Sequence, residues 1–253
     1  MKRKWLIIGM LSALGILAVH AEEGVTFYLN TGSKVSFAFS EHPVVKLSGD
    51  ELTISVAGSS LEDKEELGKY RKVVNGHIFV NLGLPSGLYW ATCNVGAETE
   101  TDYGNYYAWG ETTTKSSYTS DNSTWCGRLH SGDLTPSEDA ATANWGKGTR
   151  MPTRDEMEEL INNCTWEWQK NYNNTSVNGY LVTGSNSQSV FFPAAGSRRG
   201  PYLHVAGSYG DYWTSSPYSD DDRSYYLNFY SGDVYSNYDY ERGDGRSVRA
   251  VCQ

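Results

Sequence analysis

The chain is short of the residues from which catalytic and metal sites are commonly built. Five His and four Cys are spread over 253 residues. No Cys-x-x-Cys pair and no His/Cys cluster occurs, which argues against a zinc site. His20, His42, His77, His130 and His204 sit in no nucleophile setting, and there is no Gly-x-Ser-x-Gly elbow, so a Ser/His/Asp hydrolase finds no support. Basic residues are outnumbered, 21 Lys and Arg against 30 Asp and Glu. The resulting net charge of −9 excludes nucleic acid and anionic membranes as expected partners, because both reward Lys and Arg. After Val19 no apolar run reaches the length that spans a bilayer.

What is present begins with Lys2, Arg3 and Lys4 ahead of an apolar run, Trp5 to Val19, that closes on Val19-His20-Ala21. This is the pattern of a secretory signal peptide cut after Ala21, so residues 1–21 are set apart from the fold. The mature chain is expected to be exported, to the periplasm, the cell surface or beyond, with no membrane span after cleavage. Cys93, Cys126, Cys164 and Cys252 suit such a protein with up to two disulfides, and all three pairings stay open. With 19 Tyr, 8 Trp and 26 Gly the composition points to a loop-rich, aromatic-rich recognition domain; helix bundles use more Leu and Ala.

Patterning divides the rest into a small β module (22–58), a linker (59–72) and a larger module (73–253). In the first, Val25, Phe27 and Leu29, then Val35, Phe37 and Phe39, then Leu52, Ile54 and Val56 recur at period two. "SSLEDKEELGKYRK" is charged and has little apolar periodicity, as a linker or surface helix does. In the second module "HIFVNLGLPSGLYWATCNVGA" reads as two strands about a Pro85-Ser86-Gly87 turn. Residues 112–149 read as a polar surface excursion with a short helix started by Pro136 and Ser137. "MPTRDEMEELINNC" predicts the best-defined helix: Thr153 as N-cap, Glu156 closing a capping box, and Met157, Leu160, Ile161 and Cys164 on a face that packs on a sheet. "GYLVTG", "SVFFPAAG", "GDYWTSS", "YYLNFYSGDV" and "RSVRAVC" then read as short strands.

The run "YYLNFYSGDVYSNYDYERGDGRSVRAV" holds no His, Lys or Cys. Its alternation turns Leu227 and Phe229 to the core and Tyr226, Asn228 and Tyr230 outward, with a turn at Ser231-Gly232-Asp233. Tyr235 to Gly245 reads as a long polar crossing. Val248 and Ala250 take one face of a last strand, with Ser247, Arg249 and Val251 on the other. Three chemistries compete here and nearby. Glu111, Glu156, Glu158, Glu159, Asp211 and Glu241 supply carboxylates for a glycosidase, whose required separation the sequence does not show. Asp220 to Asp222 supply oxygens for a calcium ion, against the commoner solvated acidic loop. Arg242-Gly243-Asp244 matches an integrin-recognition tripeptide, against a simple turn. Recognition has the stronger claim, because ten of the 19 Tyr fall between Tyr202 and Tyr240, interleaved with Ser, Asn, Asp and Gly. Rigid amphipathic rings give contact area and short polar side chains give adaptable hydrogen bonds, the composition of an antibody paratope. A tyrosine-rich β surface without a partner is the plain alternative.

Six segments in order, "VNLGLPSGLYWATCNVGA", "DYGNYYAWGET", "ATANWGKGTRMPTRDEMEELINNCTW", "VFFPAAGSR", "GSYGDYWTSSP" and "GRSVRAV", resemble the Fibrobacter succinogenes-type major paralogous domain, common in exported proteins of gut Bacteroidetes. The match covers roughly Phe79 to Cys252. The resemblance implies an α+β, C-type-lectin-like fold with short twisted antiparallel strands, few helices and long loops. It also implies kinship with formylglycine-generating enzymes, which depend on a reactive Cys pair; here only Cys252 stands in that part of the chain. Glu-Pro-Asn, Gln-Pro-Asp and Trp-Asn-Asp, the sugar-binding motifs of C-type lectins, are absent. The tail is closer to the variable proteins of diversity-generating retroelements, in which displayed residues precede a Gly-x-Ser-Val-Arg strand, matched by Gly245 to Arg249. That likeness implies ligand-binding positions Tyr226, Asn228, Tyr230, Tyr235, Asn237, Tyr238, Asp239, Tyr240, Asp244 and Arg246 on a scaffold of Leu227, Phe229, Val234, Gly245 and Val248. The expectation is therefore a non-catalytic, cofactor-free exported protein that presents this face to an extracellular protein or glycan. A formylglycine-generating-like oxidase and a structural matrix component are the alternatives.

Overall fold

The computed structural model describes residues 70–253 throughout and, before them, the backbone of six strands. The chain divides into two compact units at Lys69/Tyr70. In the first, β1 (Gly9–Leu11), β2 (Ile16–Ala21), β3 (Gly24–Tyr28) and β4 (Lys34–Ala38) form one antiparallel sheet in that order, and β5 (Pro43–Ser48) pairs with β6 (Glu51–Val56). β1 and β2 lie upstream of the expected cleavage point. Leu29, Phe39 and the linker up to Lys69 lie outside the described residues.

The second unit carries β7 (Arg71–Val74), β8 (His77–Asn81), β9 (Tyr89–Asn94), α1 (Ala140–Trp145), α2 (Arg154–Asn163), β10 (Thr165–Gln169), β11 (Gly179–Thr183) and β12 (Ser189–Pro193). β13 (Ser197–Arg199), β14 (Tyr202–His204), β15 (Tyr209–Pro217), β16 (Arg223–Tyr230), β17 (Asp233–Glu241), β18 (Gly245–Arg246) and β19 (Arg249–Cys252) follow. They make four antiparallel sheets, ordered β19-β9-β8-β7, β10-β11-β12, β14-β13-β18 and β15-β16-β17. The expected α+β class is overturned: 40% of residues are in strands and 12% helical, with two α-helices among the described residues, so the fold is mainly β. The cause is visible in the chain, where Gly, Asn and Ser break period-two runs every few residues and a helical period is sustained only over Arg154–Asn163.

That helix forms as its sequence dictates. Thr153 accepts from the Glu156 amide at 3.2 Å while the Glu156 carboxylate reaches back to the Thr153 amide at 2.8 Å. Met157 and Leu160 are buried with Tyr212, Leu227 and Phe229, and Ile161 and Cys164 pack at the margin. The shorter α1 begins three residues later than its sequence suggests. Its cap is Asp139, whose carboxylate accepts from the amides of Thr142 and Met151 at 2.8 Å each, neither Pro136 nor Ser137 being the start.

Tyr235 to Glu241, expected as a polar crossing, is strand, the second arm of the β16-β17 hairpin, whose turn is Ser231-Gly232. The last strand is buried on both faces. Val248, Ala250 and Cys252 enter one apolar cluster with Phe79, Trp109 and Trp213, and Val251 enters the other with Trp90 and Leu227. Arg249 is wholly buried between them, donating to Asn94 Oδ1, Ala91 O and Phe191 O and stacked on Phe192, so every arm of the guanidinium has an acceptor. All four cysteines are free, so neither expected disulfide forms. No helix among the described residues is long and apolar enough to cross a membrane.

Candidate functional site

Pairing within the β15-β16-β17 sheet decides which residues share a face. Tyr209, Asp211 and Trp213 stand opposite Tyr230, Asn228 and Tyr226 on one side of β16. On its other side Tyr226 stands opposite Tyr238, and Asn228 opposite Tyr235. The step from Tyr226 to Asn228 therefore spans one residue fewer than the step from Tyr235 to Tyr238, and β17 carries a bulge at Ser236-Asn237. Without the bulge Tyr235 and Tyr238 would point to opposite faces; with it both join Tyr240 on the face of Tyr209, Tyr226 and Tyr230. The reverse face, Tyr212, Leu227, Phe229 and Val234, packs in one cluster with Met157 and Leu160 of α2.

The rings form a continuous path. Centroid separations run 5.5 Å from Tyr209 to Tyr230, 6.4 Å to Tyr235, 4.9 Å to Tyr238, 6.3 Å to Tyr226 and 6.4 Å to Tyr240. All lie in the range where tilted and edge-on aromatic pairs attract. Tyr209 and Tyr238 are the exposed rings of this path, 38% and 45%, Tyr230, Tyr235 and Tyr240 are half-buried, and Tyr226 is 7% exposed. The Tyr235 hydroxyl donates to Asp233 Oδ2 at 2.7 Å, and that hydrogen bond is the main reason its pKa is raised. Asn228 donates to Asp211 Oδ1 at 2.7 Å. Burial pushes the Tyr226 hydroxyl up to about 12, so it stays neutral at physiological pH.

The closed end is built around Arg246, 1% exposed. Its guanidinium carbon lies 4.3 Å from the ring centres of Trp213 and Tyr226 and 4.9 Å from that of Tyr240. Nε and Nη1 meet no hydrogen-bond acceptor and lie against these rings, while Nη2 stands 3.7 Å from Asp244 Oδ2. The same carboxylate oxygen accepts from Arg199 Nε at 2.9 Å, and Arg199 stacks on the outer side of the box, over Tyr240. Burial raises the Asp244 pKa against the pull of Arg246 and Arg199.

Of the ten positions expected to bind ligand, Asn228, Tyr230, Tyr235, Tyr238 and Tyr240 share the face, and Asn237 is exposed at the bulge. The other four are corrections. Tyr226 is the floor of the face, and Asp244 and Arg246, 5% and 1% exposed at the entry to β18 and within it, are buried beneath it. Asp239 pairs with Tyr225 on the reverse side and holds Arg223 at 3.0 Å. Sequence reasoning missed Tyr209 and Arg199. The alternation Tyr209, Asp211, Trp213 was a signal for the first; nothing local marks the second.

The residues named for the competing chemistries have partners inside the fold. Arg242 is fully buried, stacked on Trp109 at 4.6 Å and donating to the carbonyls of Trp125, Arg128, Asp220, Asp221 and Arg223 and to Ser224 Oγ. A Cβ on Gly243 would meet the Thr119 and Ser120 backbone at 2.7 Å. The Arg-Gly-Asp tripeptide is thus internal. Asp220 and Asp222 accept backbone amides, and among the described residues no metal-holding group of His, Cys, Asp and Glu occurs. Glu111, Glu156 and Glu158 pair with Lys115, Arg150 and Arg154, and Glu159, Asp211 and Glu241 bond Ser86, Asn228 and Ser120. Burial raises the thiol pKa of Cys93 and Cys252, and of Cys164 to about 11, the opposite of an activated nucleophile.

Residues 161–251 match the family model of a domain of unknown function, DUF8237. The matched segment takes in the whole tyrosine face. No curated protein and no solved structure matches the chain.

Proposed function

We propose that the protein is a non-catalytic exported binding protein whose tyrosine face takes an extracellular protein or glycan. The observation that carries this reading is the unbroken run of rings from exposed Tyr209 through half-buried Tyr230 and Tyr235 to exposed Tyr238, on a sheet braced from behind by α2. Large rings on a rigid backbone lose little conformational freedom on binding, and their hydroxyls with Asn228, Asn237 and Asp233 supply polar contacts. Tyrosine faces also stack on the C–H surfaces of sugar rings. The likeness of the tail to retroelement-diversified proteins supports the same face. The test is a glycan array and a surface-protein capture, run with the wild type and with Tyr230, Tyr235 and Tyr238 replaced by Ala. Capture of one ligand by the wild type alone is expected; equal capture by both proteins sinks the proposal.

A further inference from the structure

On the second unit lies a cleft of about 170 Å3 that the tyrosine face does not use. It is smaller than the sites that enclose drug-sized ligands, which start at roughly 300 Å3. Its deep part is lined by Leu134, Met151, Asp139 and Ser215, the last two each 3% exposed. Asp133, Pro136, Thr142, Thr153 and Arg150 line the remainder. Ser215 sits in the irregular part of β15, its amide bonded to Pro152 O and its carbonyl to the Leu134 amide. Its hydroxyl nevertheless has no hydrogen-bond partner in the protein. A buried hydroxyl left unpaired costs about 1–3 kcal/mol, so such a group facing a cleft marks a place for a polar ligand atom.

The surrounding charges choose the ligand. Arg150 is turned to Glu156, with Nη1 bonded to one carboxylate oxygen and Nη2 to the other, and acts on Asp139 and Asp133 only by longer-range attraction. Asp139 makes no ion pair among the described residues; its oxygens accept the Thr142 and Met151 amides at 2.8 Å, with the Ala141 amide and the Thr142 side chain as further hydrogen-bond partners. Asp133, exposed, takes only the Ser216 hydroxyl. The lining therefore offers two carboxylates and an orphan hydroxyl beside Leu134, Pro136 and Met151, an excess of acceptors next to an apolar wall.

We propose that this cleft binds a primary ammonium on a short unbranched aliphatic stem, the nitrogen between Asp139 and Ser215 Oγ and the stem along Leu134, Pro136 and Met151. Three N–H donors match three acceptors, and the unpaired buried carboxylate gains its counter-charge. Burial raises the Asp139 pKa against the pull of its hydrogen bonds from Thr142, Met151 and Ala141.

The test is an amide-shift titration of the full chain with n-butylammonium, its neutral isostere 1-butanol, glycerol and sodium chloride as separate probes. The Thr142 and Met151 amides, which donate to Asp139, report the site directly. A saturable shift of both with n-butylammonium alone is expected, weakened several-fold in Ser215→Ala and in Asp133→Asn, neither of which removes the α1 cap. No saturable shift, an equal response to 1-butanol or glycerol, or unchanged binding in both variants overturns the proposal. Nα-acetyl-lysine amide, titrated beside n-butylammonium, identifies the carrier: tighter binding supports a lysine side chain of a peptide, weaker binding a free alkylamine, and both support the ammonium.

Discussion

Tyr235 and Tyr238 stand on one face of a strand, ring centroids 4.9 Å apart, although their spacing of three places them on opposite faces of a regular strand. The bulge at Ser236-Asn237 makes them neighbours, and Tyr235→Ala together with Tyr238→Ala removes the middle of the exposed path. Neither ring is buried, so unfolding stability is expected to move by no more than about 1 kcal/mol while capture of the ligand falls at least tenfold. Tyr238→Phe keeps the ring and is expected to retain most of the binding. Denaturant unfolding and a surface-binding titration on the same samples separate the two effects.

Arg246 is expected to matter to the fold and not directly to the ligand. Arg246→Ala empties the box between Trp213, Tyr226 and Tyr240 and leaves Asp244 with Arg199 alone, a loss of about 3 kcal/mol. Arg199→Ala removes a side chain that is 49% exposed and should cost less than about 1 kcal/mol. Urea unfolding of the two variants gives the comparison; equal losses would contradict the geometry.

The parts of the fold that were legible are those fixed by neighbours in sequence. Thr153 and Glu156 announce α2 because a capping box is local, and Leu227 and Phe229 announce the core face of β16 because alternation is local. Tyr235 was misplaced in a crossing because a bulge is set by the partner strand, and period-two counting fails across it. Arg242, Arg246 and Arg249 carry no local sign in the sequence that they are buried. Their burial depends on carbonyls of Trp125, Arg128, Ala91 and Phe191 and on rings of Trp109, Trp213 and Phe192, all far away along the chain. The α+β expectation came from a family resemblance, whereas the Gly- and Asn-broken runs already favoured strands.

Thiol chemistry supplies a separate test of the oxidase alternative. Because burial favours the protonated forms of Cys93, Cys164 and Cys252, alkylation of these three by iodoacetamide at pH 7.5 is expected to be far slower in the folded protein than in urea. The stability that the neutral Cys164 thiol confers is present below its unfolded pKa of 9.0 and is lost as pH rises through its folded value of about 11. Rapid labelling of Cys252 at neutral pH, read by peptide mass, would reopen the oxidase alternative.

Glu156 sets the acid limb of stability. Burial works to raise its pKa, but the hydrogen bonds from Arg150 and the Thr153 amide outweigh it, and the net shift is downward from 4.5. A depressed carboxylate pKa contributes stability above the unfolded value that is lost as pH falls through the folded one. Asp139 and Asp244, both raised, act with the opposite sign in the same acid range. Glu156→Gln keeps a side chain able to accept from the Thr153 amide and deletes the charge pair with Arg150, itself 37% exposed. The expected result is a loss of about 1 kcal/mol at pH 7 that disappears below the folded pKa of the wild-type carboxylate. A variant whose deficit stays constant from neutral pH into the acid limb would show that the loss lies in packing and not in the ion pair.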